Sequence, residues 1–218
     1  MLRIGIFATR NYRIAVIVIA LFQAALIGME TIMPLYIQGV LGHSATVSGA
    51  TLLPGAVIGA VTGFFAGRIF DRRGVRRPVL AGAAIIAFAA VLFVLLRVDS
   101  PVAVVSATYA VMAIGIQFTM TPLNTWGVNS LPNDAIRHAQ STSNTVNQVA
   151  GSFGTALLVS VAAVSNATAS DPSEVARTFA GYHTSFSVTA GLALVAVVVI
   201  VALVHNPKHA GTNPTEDR

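Results

Sequence analysis

Residues 14–37 read IAVIVIALFQAALIGMETIMPLYI, a run of 24 residues with a single charged side chain, Glu30. A helix of this length rises roughly 36 Å, which is enough to cross a hydrocarbon core of about 30 Å with some tilt. Because the bilayer offers the backbone no hydrogen-bond partners, a segment of this length crosses it as a helix. The stretch therefore predicts a transmembrane helix.

Glu30 is the feature of this helix that points to function. A charged side chain near the centre of a membrane-spanning helix costs about 2.5–3.5 kcal/mol on insertion scales, and such residues usually mark an ion, proton or substrate pathway. Gln23 lies seven residues earlier, on the same helical face. We expect both residues to line a polar cavity in which Glu30 binds a proton or a cationic substrate. The structural alternative is a carboxyl group that is protonated or hydrogen-bonded to a neighbouring helix.

Five further segments meet the same length test, so the sequence predicts an all-α membrane protein with six transmembrane helices. We expect one transmembrane domain in residues 1–206 and a disordered cytoplasmic tail in residues 207–218, which are polar and contain proline. The expected spans are approximately residues 14–37, 47–70, 79–96, 102–122, 146–164 and 186–204, and we expect the fifth helix to begin earlier, near Ala139, with a polar cytoplasmic half.

The composition agrees with a membrane protein. The chain is 55% hydrophobic and 10% charged, with a mean hydropathy of +0.75, whereas soluble domains carry about 25% charged residues. The net charge of +5 does not indicate a nucleic-acid partner, because the basic residues lie in short loops between apolar runs. The chain has no cysteine, which excludes a disulfide framework and a thiolate metal site.

The distribution of basic residues predicts the orientation. If both termini lie inside, all but two of the 13 lysines and arginines also lie inside, and only Arg97 and Arg177 fall outside. Cytoplasmic loops of membrane proteins carry such an excess of basic residues. We therefore expect a multi-pass protein of the cell membrane (inner or plasma membrane) with both termini in the cytoplasm. The residues placed inside are Arg3, Arg10, Arg13, Arg68, Arg72, Arg73, Arg76, Arg77, Arg137, Lys208 and Arg218.

The second span carries a glycine at every fourth position. Such spacing places the glycines on one helix face and lets a neighbouring backbone approach closely. Static helix packing is the simpler interpretation, and the sliding of helices in a transporter is compatible with the same stripe. The glycines are Gly55, Gly59, Gly63 and Gly67.

The connection after this span carries the most specific motif of the chain. Residues 67–78 read GRIFDRRGVRRP, with the spacing Gly–x3–Asp–Arg–x–Gly–x–Arg. This resembles the loop signature that follows the second helix of each six-helix half in the major facilitator superfamily, although Val75 stands where that pattern is often basic. In the family, the acidic and basic residues of this loop form charge contacts that latch a cytoplasmic gate. The resemblance assigns this gate motif to Gly67, Asp71, Arg72, Gly74 and Arg76.

Further stretches are similar to the C-terminal six-helix half of fourteen-spanner drug:proton antiporters. One runs from IGIFATRNYRI (4–14) through TIMPLYIQGVLGHSATVSGATLLPGAV (31–57). The other is the passage from Asn124 to Leu158, which contains LPNDAIRHAQSTSNTVNQVAGSFGTAL (131–157). In this order, with the loop signature between them, the resemblance covers nearly the whole chain apart from the tail. It implies one half of a major-facilitator-type bundle.

Two later spans carry polar faces. In the fifth span, Ser141, Asn144, Gln148, Gly151 and Thr155 repeat at a spacing of three or four, and Gln117, Thr121 and Asn124 do the same in the fourth. These faces either share a cavity with Glu30 or form hydrogen bonds between helices, typically worth about 0.6 kcal/mol each. Trp126 is expected to anchor the chain at the membrane interface. The expected proton- or substrate-binding residues are Glu30, Gln23, Gln117, Asn144 and Gln148.

The sequence as a whole favours half of a secondary transporter, with proton-coupled efflux of drugs or other small organic molecules by alternating access. Its partners would be the lipid bilayer, a small-molecule substrate, protons, and a missing N-terminal half or a second six-helix subunit. A truncated chain is favoured over a split transporter or a homodimer. The alternative is a non-transporting membrane subunit that packs against another complex. No enzyme activity, cofactor or metal site is expected, since no catalytic or nucleotide-binding motif is visible.

Overall fold

The computed structural model describes residues 4–133, 135–170 and 173–204. These residues form a short 3₁₀ helix, Ile4–Ala8, and six α-helices, with no β-strand among them. All six α-helices are long and apolar enough to cross a membrane, which confirms the expected fold class. Asp171 and the expected tail at 207–218 lie outside the described residues. The helices are α1 (Arg10–Gly39), α2 (Ala45–Arg73), α3 (Arg76–Val94), α4 (Val102–Val128), α5 (Ile136–Thr168) and α6 (Glu174–Leu203).

Several helices extend beyond the apolar segments that predict them. Helix α5 begins at Ile136 and α6 at Glu174, well before the apolar runs at 146 and 186. Hydropathy detects only the apolar part of a helix, so it misses the more polar first turns of α5 and α6. The hydroxyl groups of Ser44 and Ser173 cap α2 and α6 by accepting hydrogen bonds from backbone N–H groups three residues later, each at 3.4 Å.

The helices form two rows. The front row runs in the order α2, α4, α1, α5, with its closest associations between α2 and α4 and between α1 and α5. The back row consists of α3, which packs on α4, and α6, which packs on α5, α1 and α3. We call the end that carries the connection between α2 and α3 the inner end, in line with its basic residues, and the opposite end the outer end. The front row thus has one side that no described helix covers.

The core lies between the two rows. At its outer end, Tyr36 of α1 meets the ring of Phe186 of α6 edge-on, with centroids 5.4 Å apart, and Phe186 in turn contacts Phe93 of α3 at 5.6 Å. All three side chains are almost fully buried. The Tyr36 hydroxyl donates a hydrogen bond to the Arg97 carbonyl at 2.8 Å, so this polar group is satisfied within the apolar cluster.

A smaller cluster at the inner end joins α1 to α5. The buried Tyr12 hydroxyl donates to the Ala139 carbonyl at 2.8 Å and lies 3.0 Å from the Ser143 hydroxyl. Trp126 was expected as an interfacial anchor, and this expectation is wrong. Its side chain is only 6% exposed, because it packs into the core from the last turn of α4.

The glycine stripe of α2 lies against α4. A Cβ atom at Gly55 would come 2.5 Å from Cδ1 of Tyr109, and one at Gly59 would come 3.6 Å from Cβ of Ala113. A Cβ atom at Gly63 would lie 3.7 Å from the Thr121 hydroxyl. The glycines of α2 thus face side chains of α4 that are spaced four residues apart. The ridge of these α4 side chains runs along the smooth glycine face of α2.

A second close contact joins α1 to α5, and no periodic glycine pattern predicted it. A Cβ atom at Gly154 would overlap the backbone of Ala24, and one at Gly28 would lie 3.1 Å from the Gly154 carbonyl oxygen. The two backbones therefore meet at these glycines. This contact fixes the position of α1 along the axis of α5. It therefore also determines which residues of the two helices lie at the same depth on the front side.

Candidate functional site

Glu30 lies on the uncovered side of the front row. Its side chain is exposed, and its Oε1 atom accepts a hydrogen bond from the buried Tyr109 hydroxyl of α4 at 3.2 Å. Nine residues separate Glu30 from the outer end of α1, which corresponds to about 13 Å along the helix. The carboxyl group is therefore displaced outward from the middle of α1 by roughly 8 Å. The structural alternative for Glu30 expects a hydrogen bond to a neighbouring helix, and this hydrogen bond is present.

The remaining polar residues of α1 and α4 do not gather around Glu30. Gln23 is half-buried about 10 Å further inward along α1, and its amide forms no hydrogen bond with the part of the chain that the structure describes. Gln117 is half-buried between α4 and α2, where its Cγ atom would lie 3.7 Å from a Cβ atom at Gly59. The geometry places Gln117 in a helix–helix contact two turns from Tyr109.

A groove of about 600 Å³ opens between α1 and α5. Gln148 belongs to its lining, whereas Asn144 is exposed one turn further inward and does not. Ser152 and Ser160 also line the groove, and neither was predicted from the sequence. The signal in the sequence is their position near the polar face of α5: Ser152 lies three residues before Thr155, and Ser160 lies five residues after it. The full lining is Ile27, Gln148, Ser152, Thr155, Ala156, Val159 and Ser160.

The groove and Glu30 lie at neighbouring heights. The side chain of Ile27 contacts the position of Gly151, and Glu30 follows three residues later on α1. Since α1 and α5 both run from the inner to the outer end, Glu30 lies level with the part of α5 around Thr155. A carboxylate and a groove with hydroxyl groups thus flank α1 on the front of the protein.

The loop motif lies at the inner end, away from Glu30. Helix α2 ends at Arg73, and Gly74 caps it with a backbone φ of 72° and an N–H that donates to the Phe70 carbonyl at 2.8 Å. This positive φ favours glycine, because a Cβ atom is strained in the left-handed region. Asp71 and Arg72 are exposed on the last turn of α2.

The other motif residues flank this turn. Arg76 is exposed and begins α3, and Gly67 lies one turn before Asp71, where a Cβ atom would be 4.0 Å from the Thr121 methyl group. The turn thus places one carboxylate and several guanidinium groups at the inner ends of α2 and α3. Such groups can form charge contacts with a neighbouring inner surface.

The site's chemistry is that of binding. It offers a carboxylate beside a phenol, neutral amides and hydroxyl groups, and these groups bind cations, protons and hydrogen-bonding ligands. Within residues 4–133, 135–170 and 173–204, no group of three or more histidine, aspartate or glutamate side chains is arranged to hold a metal ion.

Comparisons with known proteins identify a family for this sequence. The sequence matches the Major Facilitator Superfamily over residues 2–155. It is 36% identical over 214 residues to YcnB, an uncharacterised MFS-type transporter of Bacillus subtilis, a match that covers 98% of this chain and 45% of YcnB.

Two further relatives have names that refer to drugs. The lincomycin resistance protein LmrB of Listeria innocua is 28% identical over 156 residues, which cover 72% of this chain and 33% of LmrB. The multidrug efflux pump LfrA of Mycolicibacterium smegmatis is 27% identical over 158 residues, which cover 72% of this chain and 31% of LfrA. The chain thus spans less than half the length of these relatives. With six membrane-spanning helices and a family match over most of its residues, this multi-pass membrane protein belongs to the Major Facilitator Superfamily.

Proposed function

We propose that this chain forms one six-helix half of a secondary transporter that exports small organic molecules, including drugs, across the cell membrane. The names of LmrB and LfrA support this class of substrate. The observation that carries the proposal is the hydrogen bond between Tyr109 and Glu30, which puts a carboxylate on the open front of an otherwise apolar bundle. Because carboxylates within membrane-spanning helices are costly, a transport pathway is the best physical account of this one.

Glu30 is proposed to exchange a proton for a cationic substrate. The Tyr109 hydroxyl donates its hydrogen bond to Oε1 of Glu30. When Glu30 is protonated or faces a cation, this hydrogen bond competes with the new partner. The contact between α1 and α4 would then depend on what Glu30 binds, and a rearrangement of front-row helices against each other is a step that alternating access requires.

A second six-helix unit is proposed to cover the front row. The relatives are more than twice as long as the part that this chain matches. Large apolar side chains are more than half exposed on α2 and α5, at the two ends of the front row, where a second bundle could pack. Following the resemblance, this chain would supply the C-terminal half of a fourteen-spanner antiporter. These exposed residues are Leu53, Val57, Val61, Phe64 and Phe65 on α2 and Val149, Phe153 and Val164 on α5.

The inner loop is proposed to act as the cytoplasmic gate. In this proposal Asp71, Arg72 and Arg76 exchange charge contacts with the second unit, and Gly67 and Gly74 give the loop its shape. The exposed position of Asp71 and Arg72 at the inner end of α2 supports this role, since exposed charges can reach a partner.

The first test measures efflux of a fluorescent lipophilic cation from cells that produce the chain alone or together with a second six-helix unit. We expect efflux that an uncoupler abolishes and that Glu30→Gln reduces at least tenfold, because the amide keeps the shape and loses the charge. The matched control is Asp99→Asn, which neutralises an exposed acid in the connection between α3 and α4. Equal, uncoupler-sensitive efflux by the wild type and Glu30→Gln would refute the role of Glu30.

A non-transporting subunit is the competing function, and the exposed apolar faces of α2 and α5 are compatible with it. In that case Glu30 only links α1 to α4. Stable purification with a different membrane complex, together with tolerance of Glu30→Ala and Asp71→Asn, would favour this function over transport.

A further inference from the structure

A second cavity, of about 540 Å³, lies at the inner end of the bundle. The start of α1 forms one wall, and the ends of α2 and α4 form the others. Apart from Phe70 and Trp126, every side chain in its lining is polar, and Arg10 carries the only charge of the lining. The lining residues are Thr9, Arg10, Asn11, Phe70, Trp126, Asn129 and Ser130.

Trp126 contributes the observation that points to a ligand. Its side chain is only 6% exposed, and its Nε1 atom is buried without a hydrogen-bond partner among the described residues. The indole N–H group can only donate, and buried donors in proteins almost always have an acceptor. Because Trp126 belongs to the wall of the cavity, an acceptor held in the cavity supplies the partner that this donor lacks.

The first turn of α1 offers further donors. The backbone N–H groups of Arg10, Asn11 and Tyr12 have no partner within the helix and form no hydrogen bond with any other residue that the structure describes. The Thr9 side chain precedes this turn without capping it. A helix N-terminus carries a partial positive charge, and its unpaired N–H groups bind anions such as phosphate. Together with the guanidinium group of Arg10, these donors favour an anionic acceptor.

The neighbouring charges leave the cavity wall positive. Asp71 directly follows Phe70 on α2, but its side chain is exposed and does not line the cavity. Arg13 lies about one turn further along α1, where it is exposed and donates to the Phe7 carbonyl at 3.2 Å. Arg13 also lies outside the lining, so it provides a matched reference for Arg10.

The cavity lies at the depth where phosphate groups of the bilayer are found. Helix α1 has 30 residues and is therefore about 45 Å long, whereas the hydrocarbon core is about 30 Å thick. The apolar run of α1 begins at Ile14, four residues after Arg10. The first turn thus extends beyond the hydrocarbon on the inner side, where lipid head groups and soluble anions both have access.

We propose that this cavity binds a phosphate group, which is held by Arg10, the first turn of α1 and the indole N–H group of Trp126. The group belongs either to the head group of an anionic lipid or to a soluble phosphate ester, since both present the same oxygen atoms. The site goes beyond the proposed transport function. It lies about 30 Å from Glu30 along α1 and contains none of the residues assigned to transport or to the gate.

Trp126 is the only tryptophan of the chain, so its fluorescence reports on this site directly. The test uses the full chain in maltoside detergent, which contains no phosphate. The probes are dioleoylphosphatidylglycerol, glycerol phosphate and, as a lipid without a phosphate group, dioleoylglycerol. We expect a saturable shift of the Trp126 emission with at least one phosphate probe and none with dioleoylglycerol. A shift with the phospholipid alone identifies a lipid head group, and a shift with glycerol phosphate identifies a soluble ester.

Three variants at the cavity and one outside it test the contacts. Arg10→Gln should weaken the affinity about tenfold, because it removes the charge, whereas Arg10→Lys should weaken it less than about threefold. Arg13→Gln makes the same change of charge outside the cavity and should alter the affinity less than about twofold. Trp126→Phe keeps an aromatic ring and removes the donor. Equilibrium binding of the radiolabelled probe should show a loss of affinity of about fivefold in this variant.

The outcomes separate a site from general attraction to a basic surface. Equal weakening by Arg10→Gln and Arg13→Gln, or an unchanged affinity in Arg10→Gln, would overturn the site. A shift with dioleoylglycerol equal to that with the phospholipid would mean that apolar partitioning causes the signal. No saturable shift with either phosphate probe would leave the indole N–H group to a water molecule and would also overturn the proposal. Since no step measures transport, failure here leaves the proposed function at Glu30 untouched.

Discussion

At the scale of single residues, Tyr109 has two separable roles. Its ring packs beside Gly55, while its hydroxyl donates to Glu30. Tyr109→Phe keeps the ring and removes the donor, so the packing of α2 on α4 should survive. A hydrogen bond to a charged group contributes about 1.5–3 kcal/mol when buried and less at an exposed carboxylate. Because this hydrogen bond competes with a cation at Glu30, we expect the KM for a cationic substrate to fall about threefold to tenfold in a transport assay, with a smaller change in the maximal rate.

The control for this prediction is Tyr182→Phe. Tyr182 is half-buried at the outer end of α6, where its ring lies against Tyr36, and its hydroxyl has no hydrogen-bond partner within the described residues. This variant should leave KM unchanged. An unchanged KM in Tyr109→Phe would mean that the hydrogen bond to Glu30 has no part in substrate binding.

The sequence predicted the polar residues of the site better than their partners. Glu30 stands out because it is a charge in an apolar helix, and Gln148 because it belongs to a polar face. Tyr109 carries no such signal, since it is an amphipathic residue in an apolar helix and lies 79 positions from Glu30. A single sequence does not encode which residues of two distant helices meet.

At the scale of helices, the glycines of α2 differ in how much space they have. A Cβ atom at Gly55 would clash with the Tyr109 ring at 2.5 Å, whereas one at Gly59 would make ordinary contacts at 3.6 and 3.7 Å. Gly55→Ala should destabilise the protein by about 1–3 kcal/mol, because a packed contact has to move. Gly59→Ala should be neutral or slightly stabilising, since alanine also favours the helix.

Thermal unfolding of the purified protein in detergent measures this difference. The midpoint of Gly55→Ala should fall by several degrees below that of the wild type, and that of Gly59→Ala should not fall. The two substitutions have the same chemistry on the same helix face, so each controls for the other. Equal midpoints would mean that the ring of Tyr109 moves aside at little cost.

Sequence periodicity identified one helix–helix contact and missed the other. The stripe in α2 repeats every fourth residue, which is a visible signal. The contact between α1 and α5 depends on Gly28 and Gly154, which lie in different helices and belong to no repeat at every fourth position. Their importance follows from how closely two backbones approach, and that distance exists only once the helices are packed.

At the scale of the whole molecule, the number of helices was predictable and their arrangement was not. Each membrane-spanning helix can be recognised in the sequence by its length and hydropathy. The order of the front row, α2, α4, α1, α5, is not the order of the chain, and in a bilayer all apolar faces are equally compatible with lipid. Hydropathy therefore cannot tell which face meets lipid and which meets a helix. The buried position of Trp126, which was expected at the interface, has the same origin.

The orientation of the bundle can be tested directly because the chain has no cysteine. A cysteine introduced at any position is then the only thiol of the protein. Asp99 lies in the connection between α3 and α4, and Asn133 lies in the connection between α4 and α5; both are exposed and at opposite ends of α4. Since the basic residues predict that both termini lie inside, Asp99 belongs to the outer side and Asn133 to the inner side.

A membrane-impermeant maleimide should therefore label Asp99→Cys in intact cells and label Asn133→Cys only after the cells are permeabilised. The wild type serves as the unlabelled control. The reverse pattern would place the gate motif outside and refute its cytoplasmic role, while labelling of both variants in intact cells would mean that the chain inserts in two orientations. The expected pattern would put the loop of Asp71 in the cytoplasm and Glu30 in the outer half of the membrane, which is where a substrate or proton released to the exterior would leave the carboxylate.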